Sequence, residues 1–119
     1  MRPWALCLLM ALAPHSGAAQ EGVIAGTGAV LRGLDKVDGD VVDMPLGNGE
    51  IGKLGRMTIE LRECRYQRAA VSEAYAFLTI SDTETGHAFF NGWMLASSPA
   101  LNALEHPRYD VWVLGCKTE

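Results

Sequence analysis

The stretch Arg56-Met57-Thr58-Ile59-Glu60-Leu61-Arg62-Glu63 decides the fold. Met57, Ile59 and Leu61 fall on one face of an extended chain, and Thr58, Glu60 and Arg62 on the other. Alternation with period two predicts a strand with one face in the core and one facing water. Cys64, the next residue, falls on the polar side of that register. A bulge or strand end near Glu63-Cys64 is therefore expected to turn it inward.

Toward the C-terminus, Ala74 to Ile80 is apolar except for Thr79, which predicts a strand covered on both faces. Asp82-Thr83-Glu84-Thr85-Gly86 reads as a hairpin connection and His87 to Leu95 as the returning strand. Ser98-Pro99 reads as a helix start, because serine satisfies free backbone N–H groups and proline suits the first helical position. Leu101 and Leu104 are spaced to face the core, Pro107 stops the turn, and Tyr109 to Leu114 forms the closing strand. Toward the N-terminus, Leu46 to Gly55 is glycine-rich and reads as a loop. Val41 to Met44 and Ala29 to Leu34 flank Asp38-Gly39-Asp40, a hairpin signal, since Asp-Gly takes the positive backbone angles of tight turns. Strands predominate and no βαβ alternation appears. The expected fold is mainly β: a compact antiparallel sandwich or partial barrel with one short helix near residues 98–106.

The first residues read as a targeting segment and stand outside the fold. Met1-Arg2 supplies a positive start, Trp4 to Ala13 an apolar run of ten residues, and Gly17 and Ala19 the small residues of a cleavage site. A span needs roughly 20 apolar residues, so this run is a signal peptide over 1–19, and no integral membrane segment remains after its removal. Residues 20–26 read as a mobile tail and 27–119 as a single domain. Loss of Arg2 leaves nine basic against fourteen acidic residues, a net charge of −5. An acidic chain without a basic run excludes nucleic acid, whose phosphates need clustered Lys and Arg.

Export also bears on the cysteines. Cys64 and Cys116 remain after Cys7 is removed, an even count in an oxidising setting, and they read as a disulfide. The loop of about 53 residues makes such a staple worth roughly 4 kcal/mol, close to the net stability of a domain this small. No Cys-x-x-Cys pair points to redox catalysis.

The segment from Asn91 to Cys116 concentrates the remaining chemistry. Ser97, Ser98, Glu105, His106 and Asp110 include the residue types of a nucleophile, a base and an orienting carboxylate, but no Gly-x-Ser-x-Gly elbow accompanies them. Capping and solvation account for each. Trp93, Tyr109 and Trp112 are the stronger signal: on neighbouring strands Trp93 and Trp112 would form a flat aromatic platform, with Asn91, Asp110 or Glu105 to accept hydroxyl protons. The competing account makes these aromatics core residues. Gly47-Asn48-Gly49-Glu50-Ile51-Gly52 spells a dinucleotide fingerprint but lacks the strand–helix unit that makes one. Asp35, Asp38, Asp40 and Asp43 do not have calcium-loop spacing and read as turn and edge residues. Two separated histidines give no zinc site, and no cofactor is expected.

Several stretches resemble the domain of unknown function 2155 family. They are Leu31-Arg32-Gly33-Leu34-Asp35-Lys36, the strand Gly55 to Cys64, Gly92-Trp93-Met94-Leu95-Ala96-Ser97-Ser98-Pro99-Ala100-Leu101, Glu105-His106-Pro107, and Tyr109-Asp110-Val111-Trp112-Val113. Leu95 stands where that family usually has phenylalanine. The group consists of small exported proteins, chiefly of alphaproteobacteria. The resemblance implies a periplasmic home and a paired Cys64 and Cys116, and it carries no activity.

The reading is a periplasmic, non-catalytic binding or envelope-interaction domain. A glycan or an envelope protein is expected to meet the surface formed by Asn91, Trp93, Glu105, His106, Tyr109, Asp110 and Trp112. The rival readings are a small serine hydrolase using Ser97 or Ser98 with His106, and a structural accessory subunit with every aromatic buried.

Overall fold

The computed structural model describes residues 22–119; the expected signal segment over 1–19 lies outside the described residues. Eight strands follow in order: β1 Val23–Ala25, β2 Gly28–Asp35, β3 Val41–Gly47, β4 Ile51–Leu54, β5 Met57–Gln67, β6 Ala70–Asp82, β7 Ala88–Leu95 and β8 Tyr109–Lys117. They build two antiparallel sheets. One is five-stranded, in the order β1-β5-β6-β7 with β4 also paired to β5; the other is three-stranded, in the order β3-β2-β8. The inner faces meet over Leu31, Met57, Ile59, Leu61, Leu78, Ile80 and Val113, all fully buried. This is the expected sandwich, with no closed barrel. No helix among the described residues is long and apolar enough to cross a membrane.

The two principal hairpins share one construction. In Asp35-Lys36-Val37-Asp38-Gly39 the Asp35 carboxylate accepts the Val37 and Asp38 N–H groups at 2.9 and 3.3 Å. In Asp82-Thr83-Glu84-Thr85-Gly86 the Asp82 carboxylate accepts the Glu84 and Thr85 N–H groups, both at 2.9 Å. Four residues on, Gly39 and Gly86 take φ of 76° and 74°, and each donates its N–H back to the aspartate carbonyl. An aspartate that satisfies its own turn and a glycine free to enter the left-handed region are the local reasons the chain reverses at both places.

The alternation of β5 holds through Leu61 and then breaks. Leu61 pairs with Leu78 but Glu63 with Phe77, so Arg62 is an extra residue, and Cys64, opposite the buried Ala76, points inward. The same device appears on β8. Leu31 pairs with Val113 and Val30 with Gly115, so Leu114 is extra, and Cys116 lies opposite the buried Ala29. Each cysteine sits three residues beyond a core residue, an odd step that would face it outward without its bulge. The two meet across the sheets as a disulfide with Cα atoms 5.6 Å apart. Gly26 crosses against it, donating its N–H to the Cys64 carbonyl at 2.8 Å, while Thr27 donates to the Lys117 carbonyl at 2.9 Å. A Cβ on Gly26 would lie 2.9 Å from Cys116 Cβ and 2.8 Å from the Lys117 carbonyl oxygen, so only glycine fits.

Four sequence expectations are corrected. Val23–Ala25, placed in a mobile tail, pair with Arg65–Gln67 and complete the edge of β5. The glycine-rich stretch from Leu46 to Gly55 contains β4, which pairs with β5. The helix near 98–106 is a single 3-10 turn, Pro99–Leu101; Ser98 makes no side-chain cap bond. Leu101 is 74% exposed and only Leu104 of the two leucines reaches the core, because so short a turn does not carry both onto one face. Finally, β6 is covered on one face: Ala74, Ala76, Leu78 and Ile80 are buried, while Tyr75, Phe77 and Thr79 remain partly exposed.

Replacing both cysteines, Cys64→Ser with Cys116→Ser, is expected to lower the unfolding free energy by about 2–5 kcal/mol. Urea denaturation of the oxidised wild type and the double variant measures this, and equal midpoints would show that the staple carries no stability.

Candidate functional site

The expected surface residues separate into three places. Asn91 and Trp93 stay together on the outward face of β7. Asp110 and Trp112 project from the outward face of β8, on the other sheet. Glu105 is exposed in the connection between them, and His106 and Tyr109 pack at the end of the sandwich. The flat platform of Trp93 and Trp112 is therefore not formed: β7 and β8 belong to different sheets, because residues 96–108 carry the chain from one to the other.

His106 and Tyr109 have structural surroundings. The His106 Nδ1 accepts the backbone N–H of Arg108 at 3.0 Å and of Tyr109 at 3.2 Å, closing the bend before β8. Its ring stands edge-on to Phe89 at 4.8 Å and beside Tyr109 at 5.3 Å. Tyr109 is 6% exposed, with its hydroxyl against Gly55. With Nδ1 taken by the backbone, His106 has no nitrogen left to bond both a serine and an orienting carboxylate. No hydrogen bond joins it to Ser97 or Ser98 among the described residues.

Arg108 fastens this end. Its guanidinium reaches Asp35 at 3.0 Å and Asp38 at 3.5 Å, tying the bend before β8 to the β2–β3 hairpin. Lys36 adds a contact from the same hairpin, donating to the His106 carbonyl at 2.6 Å and lying 3.5 Å from Asp110. On the outward face of the smaller sheet, Arg32 and Asp43 form a two-pronged pair at 2.7 and 2.9 Å. Asp35, Asp38 and Asp43 are thus turn and edge residues paired with arginines, and Asp40 stands in the connection between β2 and β3. The Arg108 hydrogen bond holds the Asp35 carboxyl below the usual carboxylate range, against the opposing effect of burial; two backbone N–H groups help.

The feature that sequence reasoning missed lies on the outward face of the five-stranded sheet. Tyr75 and Phe77 on β6 flank Trp93 on β7, with centroids 5.2 and 5.3 Å away and planes at 66° and 88°. Such edge-to-face packing is favourable between ring quadrupoles. From β5, the Arg65 guanidinium lies 5.7 Å from the Trp93 centroid and the Arg62 guanidinium 5.8 Å from the Phe77 centroid, within cation–π range. Thr79 donates to Asn91 at 2.9 Å at the end of the row. Three surface hollows open beside these rings: about 480 Å³ by Arg62, Glu63 and Phe77, about 360 Å³ by Val23, Ala25, Arg65 and Tyr75, and about 200 Å³ by Gln67, Glu73, Tyr75, Leu95 and Ser97 among others. The signal was present as an alternation of aliphatic residues with aromatic or hydroxyl-bearing ones in Ala74-Tyr75-Ala76-Phe77-Leu78-Thr79-Ile80, which hydropathy alone reads as an apolar run broken only at Thr79.

Trp112 has a hollow of its own. Pro99, Ala100, Ala103, Leu104, Asp110 and Val111 surround about 290 Å³ beside its ring.

The fold and site thus define a stapled two-sheet β domain that carries an aromatic–arginine face and, among the described residues, no hydrogen-bonded pair of Ser97 or Ser98 with His106. The chain belongs to the family described as an uncharacterized protein conserved in bacteria (DUF2155), whose model matches residues 29–116, from within β2 to the second cysteine. It is similar to an uncharacterized protein of Rickettsia prowazekii (strain Madrid E), 28% identical over 94 residues, which is 76% of this chain and 61% of that protein. The chain therefore spans less than two thirds of that relative's length. No solved structure matches the chain.

The Asp35–Arg108 pair sets an acid limb to stability. A carboxyl whose folded pKa is depressed contributes above its ordinary value, near 3.9, and that contribution is lost as pH falls through the folded value. Arg108→Gln is expected to unfold at a lower temperature than wild type at pH 7, with the gap narrowing as pH falls from about 4 to about 2. Thermal melts across that range check this; a gap independent of pH would mean that the pair does not act through Asp35.

Proposed function

We propose that the protein is an exported, non-catalytic binding module of the bacterial envelope, which holds a glycan or an envelope protein through the outward face of its five-stranded sheet. The observation that carries this is the row of Tyr75, Phe77 and Trp93, left partly exposed with Arg62 and Arg65 beside it. Tryptophan, tyrosine and arginine are the residues that most often dominate binding energy at protein contacts. A sandwich of this size has enough aliphatic residues to fill its core without them. They stand on the other side of the sheet, so their presence there is not a packing requirement.

Two features support the periplasmic placement. The N-terminal run has the length and flanks of a cleaved signal peptide, and the disulfide between Cys64 and Cys116 is the kind of bond that persists outside the reducing cytoplasm. The rival hydrolase lacks the contact between serine and histidine on which its chemistry depends. A purely structural subunit with every aromatic buried does not match the partial exposure of Tyr75, Phe77, Trp93 and Trp112.

The test uses immobilised protein without residues 1–19, exposed to periplasmic extract and to purified peptidoglycan. Trp93→Ala is expected to reduce retention of the bound component by about tenfold, the loss of a moderate hot spot. Trp112→Ala, on the opposite sheet, is expected to retain it. Equal loss in both variants, or none in Trp93→Ala, would remove this face from consideration.

A further inference from the structure

Resting on the reading of this face as a contact surface, we infer that its partner is a protein segment bearing carboxylate side chains, and that Arg62 receives a carboxylate in the hollow beside Phe77. The chain as a whole is acidic, with 14 acidic against 10 basic residues. Most of its guanidinium groups are already committed: Arg32, Arg56, Arg65 and Arg108 each lie within 4 Å of a carboxylate. Arg62 is the exception on this face, with no ion pair among the described residues. It is also the extra residue of the β5 bulge, which lifts it out of the regular pleat and over the Phe77 ring, 5.8 Å from the centroid.

An arginine in that setting is prepared for an anion. Its guanidinium offers a planar fork of N–H donors matched to a carboxylate, and stacking on a ring restricts the fork before the ligand arrives. The hollow it shares with Glu63 and Phe77 holds about 480 Å³, room for an acidic side chain and part of its backbone. Glu63 lines the same hollow, but its carboxylate is paired with Arg65 at 3.1 Å, which leaves the Arg62 guanidinium without an ion pair among the described residues. Glu60, two residues back on β5, makes no ion pair with Arg62 and lies opposite Thr79, so it disfavours an anion at that end of the row. The unpaired guanidinium over Phe77 thus sets the sign of the ligand group and its place.

The ring geometry decides between a polypeptide and a sugar chain. Saccharide rings stack on open, flat aromatic faces. Here the planes of Tyr75 and Phe77 stand at 66° and 88° to that of Trp93, so the three rings form walls. The Arg65 guanidinium also lies over the Trp93 ring. Walls set at angles, with hollows between them, receive separate side chains, as packed protein contacts do.

The experiment titrates isotope-labelled protein lacking residues 1–19 with three defined probes, followed by amide chemical shifts. The probes are a pool of decapeptides alternating Asp or Glu with Leu or Phe, the same pool with Lys or Arg as the charged residue, and oligogalacturonate. The acidic pool is expected to bind, with shifts along β5, β6 and β7. Arg62→Gln is expected to weaken it by about tenfold, Arg62→Lys by less, because only the guanidinium bonds in two-pronged fashion. Trp93→Ala is expected to weaken it too. Preference for the basic pool, or acidic binding unchanged by Arg62→Gln, would overturn the role of Arg62; if Trp93→Ala still weakens binding in either case, the face itself stands. Binding of oligogalacturonate alone would overturn the polypeptide partner. No binding by any probe would overturn the inference as a whole, and the retention assay with Trp93→Ala and Trp112→Ala then judges the face independently.

Discussion

The bridge between Cys64 and Cys116 is the constraint around which the rest of the structure is arranged. It joins a strand of the five-stranded sheet to a strand of the three-stranded sheet, and neither sheet is broad enough to bury its inner face by itself. Both cysteines reach the interior through an extra residue, Arg62 on one side and Leu114 on the other. Gly26 then passes directly against the bridge, and its N–H and that of Thr27 tie the chain entering β2 to the two bridged strands. Three segments distant in sequence are thereby held at one point. A bulge interrupts a ladder and leaves a residue unpaired, so two bulges in so small a domain are costly unless the turn they give has a use. Their use here is the bridge.

The opposite end is held by charge and aromatic packing. Arg108 joins the bend before β8 to the Asp35 turn, and His106, Phe89 and Tyr109 pack beneath it. With one end stapled and the other pinned, residues 96–108 can pass from sheet to sheet without covering the middle of the large one. Asn102 fastens that passage to the free edge of β7 by donating to the Trp93 carbonyl at 2.8 Å. The outward faces of β5, β6 and β7 stay open, and the aromatic row lies there. The Arg62 bulge serves both sides of the sheet, since the residue that turns Cys64 inward is itself the one presented outward.

Much of this was legible in the residues, and the failures have identifiable causes. The Met57-to-Leu61 alternation followed by a misplaced Cys64 contained the bulge, because a cysteine with a partner to reach has to leave a polar register. The hairpins at Asp38-Gly39 and Asp82–Gly86 were legible because turn chemistry is local. The aromatic row was not. Tyr75 and Phe77 score as apolar, so their strand read as buried on both sides, whereas a sheet with one partner buries only every second residue. Trp93 and Trp112 are close in sequence, and only the crossing of residues 96–108 puts them on different sheets, a long-range outcome that no local pattern encodes. The helix expected after Ser98-Pro99 failed for a related reason: the start signal was sound, but the segment is consumed in crossing between sheets and holds just one turn.

The account stands on the two bulges, and removing one tests it most directly. Deleting Leu114 restores strict alternation in β8 and leaves Cys116 two residues beyond Val113, an even step that still faces it inward toward Cys64 if Leu114 is the extra residue, and outward if β8 has no bulge. Leu114→Ala keeps the extra residue and serves as the control. Both proteins, oxidised and then treated with an alkylating agent under non-reducing denaturing conditions, are weighed by mass spectrometry. The account predicts no added alkyl group on either variant, because Cys116 stays in phase with Val113 in both. A deletion variant that takes up two alkyl groups, while Leu114→Ala takes up none, would contradict it, since it would mean that Leu114 is a regular member of the ladder and its loss turns Cys116 outward.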